Sequence, residues 1–161
     1  MDLDLVFLGT SGSAPTPARA PAALLVYLCP APTGPFSGVD VDVQPFRPGF
    51  PRPPDDEHGT SIWEPDAAIA AMYPRLPPET GRELAAQLHP GSSPPDANPL
   101  DGHPDLPGVL ILALHDEFFV PEWSRRVASE VLGREAVELD MGHFPMVEAP
   151  AELARVLDAL A

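Results

Sequence analysis

Two residues of the last third have the types and settings that could do chemistry. Asp116 lies in Leu114-His115-Asp116-Glu117-Phe118-Phe119, and His143 lies in Gly142-His143-Phe144-Pro145-Met146. Each follows directly on an apolar, strand-like run, the place where an open α/β sheet carries its reactive groups. Read alone, each has a plainer alternative. His143 could be a loop histidine with one hydrogen bond, and Asp116 a cap of the helix that follows or a solvated turn acid. Glu117 is adjacent and competes for the acid's part. Upstream, Gly9-Thr10-Ser11-Gly12-Ser13 follows a short apolar run and puts Ser11 at a tight turn. A serine hydroxyl is a weak nucleophile at neutral pH and needs an adjacent base. The other histidines, His58, His89, His103 and His115, are scattered singly without ligand spacing; His58 and His115 are expected at the surface.

The elements that must position these residues follow from hydrophobic patterning. Residues 3–8 and 24–29 are short apolar runs. Residues 109–114, Val-Leu-Ile-Leu-Ala-Leu, are uniformly apolar, as a strand buried on both faces should be. Residues 121–132 predict a helix: Pro121 opens it, Glu122 suits its N-terminus, and Gly133 ends it. Trp123, Val127 and Val131 give it one apolar stripe. Residues 135–139 read as a short strand with Val137 and Leu139 alternating. Residues 149–161 close as a helix with Leu153, Val156, Leu157 and Leu160 on one face. Strands alternating with helices imply parallel pairing and an α/β fold.

The middle is different. Of 24 prolines, 18 fall within residues 30–107. Proline lacks an amide proton and fixes φ, so this stretch cannot hold long central strands. Two helices fit within it. One spans residues 65–72, opened by Pro65 and stopped before Pro74; the other spans 78–89, opened by Pro78 and stopped at Pro90-Gly91. Residues 30–54 show no periodicity and read as irregular chain, which in a compact domain is expected either to form a lid or to be disordered.

Composition bounds the function. At 161 residues the chain is expected to be a single domain. Nine basic residues, all Arg, face 24 acidic ones for a net charge of −15. The charge divides evenly, −7 over residues 1–100 and −8 over 101–161. That balance repels nucleic-acid phosphates and reads as solubility rather than as a docking surface. The single cysteine, Cys29, rules out an internal disulfide framework; in Leu24-Leu25-Val26-Tyr27-Leu28-Cys29 it reads as a small core residue before a reactive thiol. No run approaches a membrane span, and the start, Met-Asp-Leu-Asp-Leu, is acidic where a signal peptide is basic. A cytoplasmic home is expected. No nucleotide loop, metal cluster or basic patch argues for a cofactor.

Against these residues a family resemblance can be set. Residues 24–161 resemble the C-terminal half of an esterase-like α/β-hydrolase. The run 24–29 resembles the strand after the nucleophile helix, and 59–99 resembles the lid. The strand ending in Asp116-Glu-Phe-Phe-Val-Pro121 resembles the penultimate strand with its acid, and Gly142-His-Phe-Pro-Met146 the histidine loop. The order Ser…Asp…His is that family's. The resemblance implies Ser11 as nucleophile, His143 as the base that takes and returns its proton, and Asp116 as the group that holds the imidazole tautomer. It implies hydrolysis of small esters or related acyl compounds. The turn departs from Gly-x-Ser-x-Gly: Ser13 replaces the second glycine, and Pro15, Pro17 and Pro21 stand where a helix should run. The first two dozen residues, Leu5-Val-Phe-Leu-Gly-Thr-Ser-Gly-Ser-Ala-Pro-Thr16, are also similar to the start of a ribonuclease Z-type metallo-β-lactamase protein. That family's zinc cluster has no counterpart in this sequence.

The expectation is therefore an α/β parallel-sheet core of about four strands, a truncated α/β-hydrolase in one domain. Residues 1–23 form an atypical strand and turn, 30–107 a proline-rich lid-like insertion, and 108–161 the unit bearing Asp116 and His143. The alternative is a catalytically inactive remnant or binding protein, because only eight residues precede Gly9 and no oxyanion loop is visible there. A sheet of this size would leave an open apolar edge. Dimerisation or a partner chain could cover it.

Overall fold

The computed structural model describes residues 6–7, 24–32, 36, 39–50, 52–92 and 106–160. A four-stranded, fully parallel sheet is its centre. β1 (Val6–Phe7) pairs with β2 (Leu25–Leu28), β2 with β5 (Gly108–Ala113), and β5 with β6 (Val137–Leu139). Between β2 and β5 lie β3 (Thr60–Ser61), α1 (Pro65–Met72), α2 (Pro78–Ala85) and β4 (Gly91–Ser92). The two-residue strands β3 and β4 pair antiparallel with each other, apart from the main sheet. Patterning does not mark them, since two residues are too few for any period to show. After β5 come α3 (Pro121–Val131), β6, α4 (Pro145–Glu148) and α5 (Pro150–Leu160).

The sheet is covered on both faces, which explains its apolar strands. Successive residues of a strand point to opposite faces. Leu110 and Leu112 of β5, with Leu25 and Tyr27 of β2, pack on Trp123, Val127 and Ala128 of α3. Val109 and Ile111, with Val26, pack in the opposite cluster with Leu139, Met141 and Leu153 of α5. All six residues of β5 are buried. A strand with a helix layer on each side has no solvent face to give to polar residues.

Helix ends follow the proline and glycine signals. Prolines stand at the first turns of α1, α2 and α3, where a missing amide proton costs no helical bond. Gly133, just past α3, takes φ +63°, the left-handed conformation that ends helices. The second helix of the middle region is shorter than 78–89. It ends at Ala85, and Gln87 and Leu88 turn back with bonds to the carbonyls of Leu84 and Ala85. Among residues 39–50, Phe46 forms an isolated antiparallel bridge with Phe119.

Candidate active site

Asp116 stands just beyond the C-terminal end of β5. The strand's ladder runs on past Ala113, with Leu114 N–H donating to the Leu139 carbonyl and His115 N–H to that of Met141. The chain then turns. Asp116 Oδ1 accepts the backbone N–H groups of Phe118 at 2.7 Å and Phe119 at 3.1 Å. This local capture fixes the carboxylate's orientation and leaves Oδ2 for a second partner. At 3 % exposure the acid is buried, whereas the neighbouring Glu117 is exposed.

His143 arrives on the loop between β6 and α4. Its Nδ1 lies 2.8 Å from Asp116 Oδ2, and the ring is 8 % exposed. An ionised carboxylate only accepts, so this bond places the imidazole proton on Nδ1 and leaves Nε2 as the basic nitrogen. Three rings hold the imidazole plane. Phe118 stacks on it with centroids 4.3 Å apart, Phe144 meets it edge-on at 4.7 Å, and Phe119 lies at 5.4 Å. The loop itself is tied by Gly142 N–H donating to Glu148 Oε2 at 2.8 Å, while Arg75 Nε donates to Glu148 Oε1 at 2.5 Å. A Cβ at Gly142 would sit 2.9 Å from that Glu148 oxygen, so only glycine allows the approach without a shift.

Sequence reasoning did not place two neighbours beside the pair. Arg47 lies in the unpatterned stretch, yet its Nε donates to the backbone carbonyl of Asp116. Its own N–H donates to the Phe118 carbonyl at 2.9 Å, and Val120 N–H donates to the Pro45 carbonyl at 2.9 Å. The segment 45–47 therefore splints the acid's loop. No local signal marks such a bond, because its partners are 69 residues apart. Phe50 and Trp63 extend the aromatic wall, with centroids 4.8 and 5.8 Å from Phe118.

Cys29 is the second. It follows β2 with φ +43° and is 2 % exposed, and its N–H donates to the Ile111 carbonyl. It packs as a small core residue, but beside the polar pair. Its thiol pKa is pushed up, first by burial and then by the charge of Asp116, against a backbone hydrogen bond at Ala113. A thiol kept protonated is a poor nucleophile.

His115 and His58 lie at the surface, His115 with Nε2 2.6 Å from Asp140 Oδ1. Ser11 lies outside the described residues. Among those described, the structure brings Asp116 and His143 together.

A buried carboxylate–imidazole pair at the ends of adjacent parallel strands has the chemistry to accept and return a proton at the free ring nitrogen. The model of the Alpha/beta hydrolase family matches residues 2–156, nearly the whole chain. The chain belongs to the alpha/beta hydrolase family. That match begins at residue 2, so the first two dozen residues fall within it, and nothing supports their resemblance to a ribonuclease Z-type protein. Among solved structures, the crystal structure of a pyrethroid hydrolase, PytH, is similar in fold, with a TM-score of 0.58 and 23% identity. The similarity covers 86% of this chain and 60% of that one, so the chain spans less than two thirds of the length of its structural relative. No curated protein matches the sequence. No helix among the described residues is long and apolar enough to cross a membrane.

Proposed function

We propose that this hydrolase cleaves small esters or related acyl compounds by a serine-dependent route. The observation that carries the reading is the buried Asp116–His143 bond, with Nδ1 on the carboxylate and the rings of Phe118, Phe119 and Phe144 around the imidazole. In this reading His143 Nε2 takes the proton of the nucleophile's hydroxyl as that oxygen attacks the carbonyl carbon. It then gives the proton to the leaving alcohol. Asp116 keeps the imidazole in the required tautomer and stabilises the imidazolium without accepting its proton. Ser11 is the candidate nucleophile, supported by its place in Gly9-Thr10-Ser11-Gly12-Ser13 upstream of the acid and the histidine. Residues 30–107 act as the lid, and the aromatic surface of Phe50, Trp63 and Phe118 favours an apolar acyl or alcohol group.

Fluorophosphonate labelling of the purified protein tests this directly. Labelling is expected in the wild type and is lost in both Ser11→Ala and His143→Ala. Labelling that survives Ser11→Ala removes Ser11 from the mechanism. No labelling in a protein that still melts cooperatively rejects the serine-dependent reaction and leaves a folded, inactive member of the family.

A further inference from the structure

The single cysteine of the chain lies beside the acid–histidine pair, and the proposed hydrolysis makes no use of it. Cys29, Asp116 and His143 each offer one ligand atom, and the three atoms lie within 4.8 Å of one another. The convergence has a structural cause. β2 pairs with β5, β5 with β6, and all run parallel. Neighbouring strands are about 4.8 Å apart, so residues just past their C-terminal ends meet at one point. Each of the three comes from such an end. The positive φ of Cys29 marks where its chain leaves the sheet at that point.

We propose that Cys29, Asp116 and His143 form a binding site for a soft divalent cation of the zinc or cadmium class. A thiolate, an imidazole nitrogen and a carboxylate oxygen are the donor types that such ions take in three-ligand sites, with water completing a tetrahedron. Magnesium and calcium, which take oxygen donors, do not fit this set. Charge favours the assembly as well. The thiolate and the carboxylate together carry the charge that a divalent ion neutralises, which suits a site whose residues are 2, 3 and 8 % exposed. The metal–ligand bonds require small adjustments. The imidazole nitrogen and carboxylate oxygen, now 2.8 Å apart, must part by roughly 0.5 Å to admit the ion, and the sulfur must approach by about 1 Å. Oδ1 keeps its two amide bonds during this change, since Oδ2 is the oxygen facing the ring.

The protons balance. The Cys29 S–H bond breaks and its proton leaves to solvent as the sulfur lone pair binds the ion. The Nδ1 proton of neutral His143 moves to Nε2 as Nδ1 binds, so one proton is released per ion. With Nε2 protonated and Nδ1 on the metal, His143 no longer offers a base. The occupied site is therefore a silent state of the same pair.

Cobalt(II) titration of the purified protein, with zinc competition, tests the site without any assay of hydrolysis. The wild type is expected to give a thiolate-to-cobalt charge-transfer band at one equivalent, and zinc is expected to erase it. Because the chain has one cysteine, any such band belongs to Cys29. Cys29→Ser is expected to lose the band and His143→Ala to lose or weaken it strongly. Absence of the band in the wild type, or its persistence undiminished in His143→Ala, overturns the site. Should the variants fail to melt cooperatively, the cadmium NMR shift of the wild type decides. A shift in the range of one sulfur ligand with nitrogen and oxygen supports the site, and one typical of oxygen ligands alone rejects it.

Discussion

The C-terminal unit, residues 108–160, and the middle region, residues 39–92, build one candidate site by opposite means. The first places Asp116 and His143 with regular structure. β5 is buried along its whole length, its ladder to β6 continues to the edge of the acid's turn, and α3 and α5 cover the two faces. The second is interrupted by proline and adds two-residue strands and two short helices. It touches the site through single groups: the Arg47 bond to the Asp116 carbonyl, the Pro45 carbonyl, and the rings of Phe50 and Trp63. Parallel strands fix the two side chains within hydrogen-bond distance. The irregular chain adds aromatic shape and a brace on the acid's loop.

Breaking the pair itself should have the largest effect. In the proposed reaction Asp116→Asn leaves the packing in place but presents an amide to Nδ1, and kcat for ester hydrolysis should fall about 10⁴-fold. A loss below tenfold would mean that the pair does not work as a base. Next in size is the unit's core. Leu110 is fully buried between β2 and α3, so Leu110→Ala should cost about 2–5 kcal/mol in urea unfolding. An equal cost for Trp63→Ala, at a partly buried ring of the middle region, would erase the distinction between the two regions.

Arg47→Met tests the brace between them. It removes one partly buried hydrogen bond, worth about 1 kcal/mol of stability. The expected signature is a drop in kcat at nearly unchanged KM, with the alkyl stem still covering the loop. A change in KM alone would make Arg47 a substrate contact instead.

The smallest effect lies on the unit's outer surface. Arg125 of α3 binds both oxygens of Glu138 on β6, at 2.6 and 3.1 Å. The Arg125 hydrogen bonds hold the Glu138 carboxyl below its ordinary value of 4.5. A lowered folded value means that this contribution is present above pH 4.5 and is lost as pH falls through the depressed value. Both side chains are 40% exposed, so solvent limits the pair to about 0.5 kcal/mol. The stability difference between wild type and Glu138→Gln should be flat near neutrality and vanish in acid. A difference that grows as pH falls would contradict the pairing.

The legible part of this protein was the part with a period. The run 109–114 specified β5 because six consecutive apolar residues suit a strand covered on both faces, and they lie within one residue of the observed Gly108–Ala113. Trp123, Val127 and Val131 specified the face of α3, and Pro121 and Gly133 its ends, because helix termini have local chemical requirements. Asp116 and His143 could be singled out because strand ends are where sheets expose polar groups.

What the sequence could not carry was distance. Asp116 and Glu117 differ by one position, and only the turn decides that the first faces His143 while the second faces solvent. Arg47 and Cys29 had no pattern pointing to the site. One reaches it across a bridge between Phe46 and Phe119, the other because parallel pairing sets the ends of β2, β5 and β6 side by side. Periodicity reports which face a residue takes within its own element. Which elements become neighbours depends on burying both faces of one sheet at once, and that is settled only when the whole chain has packed.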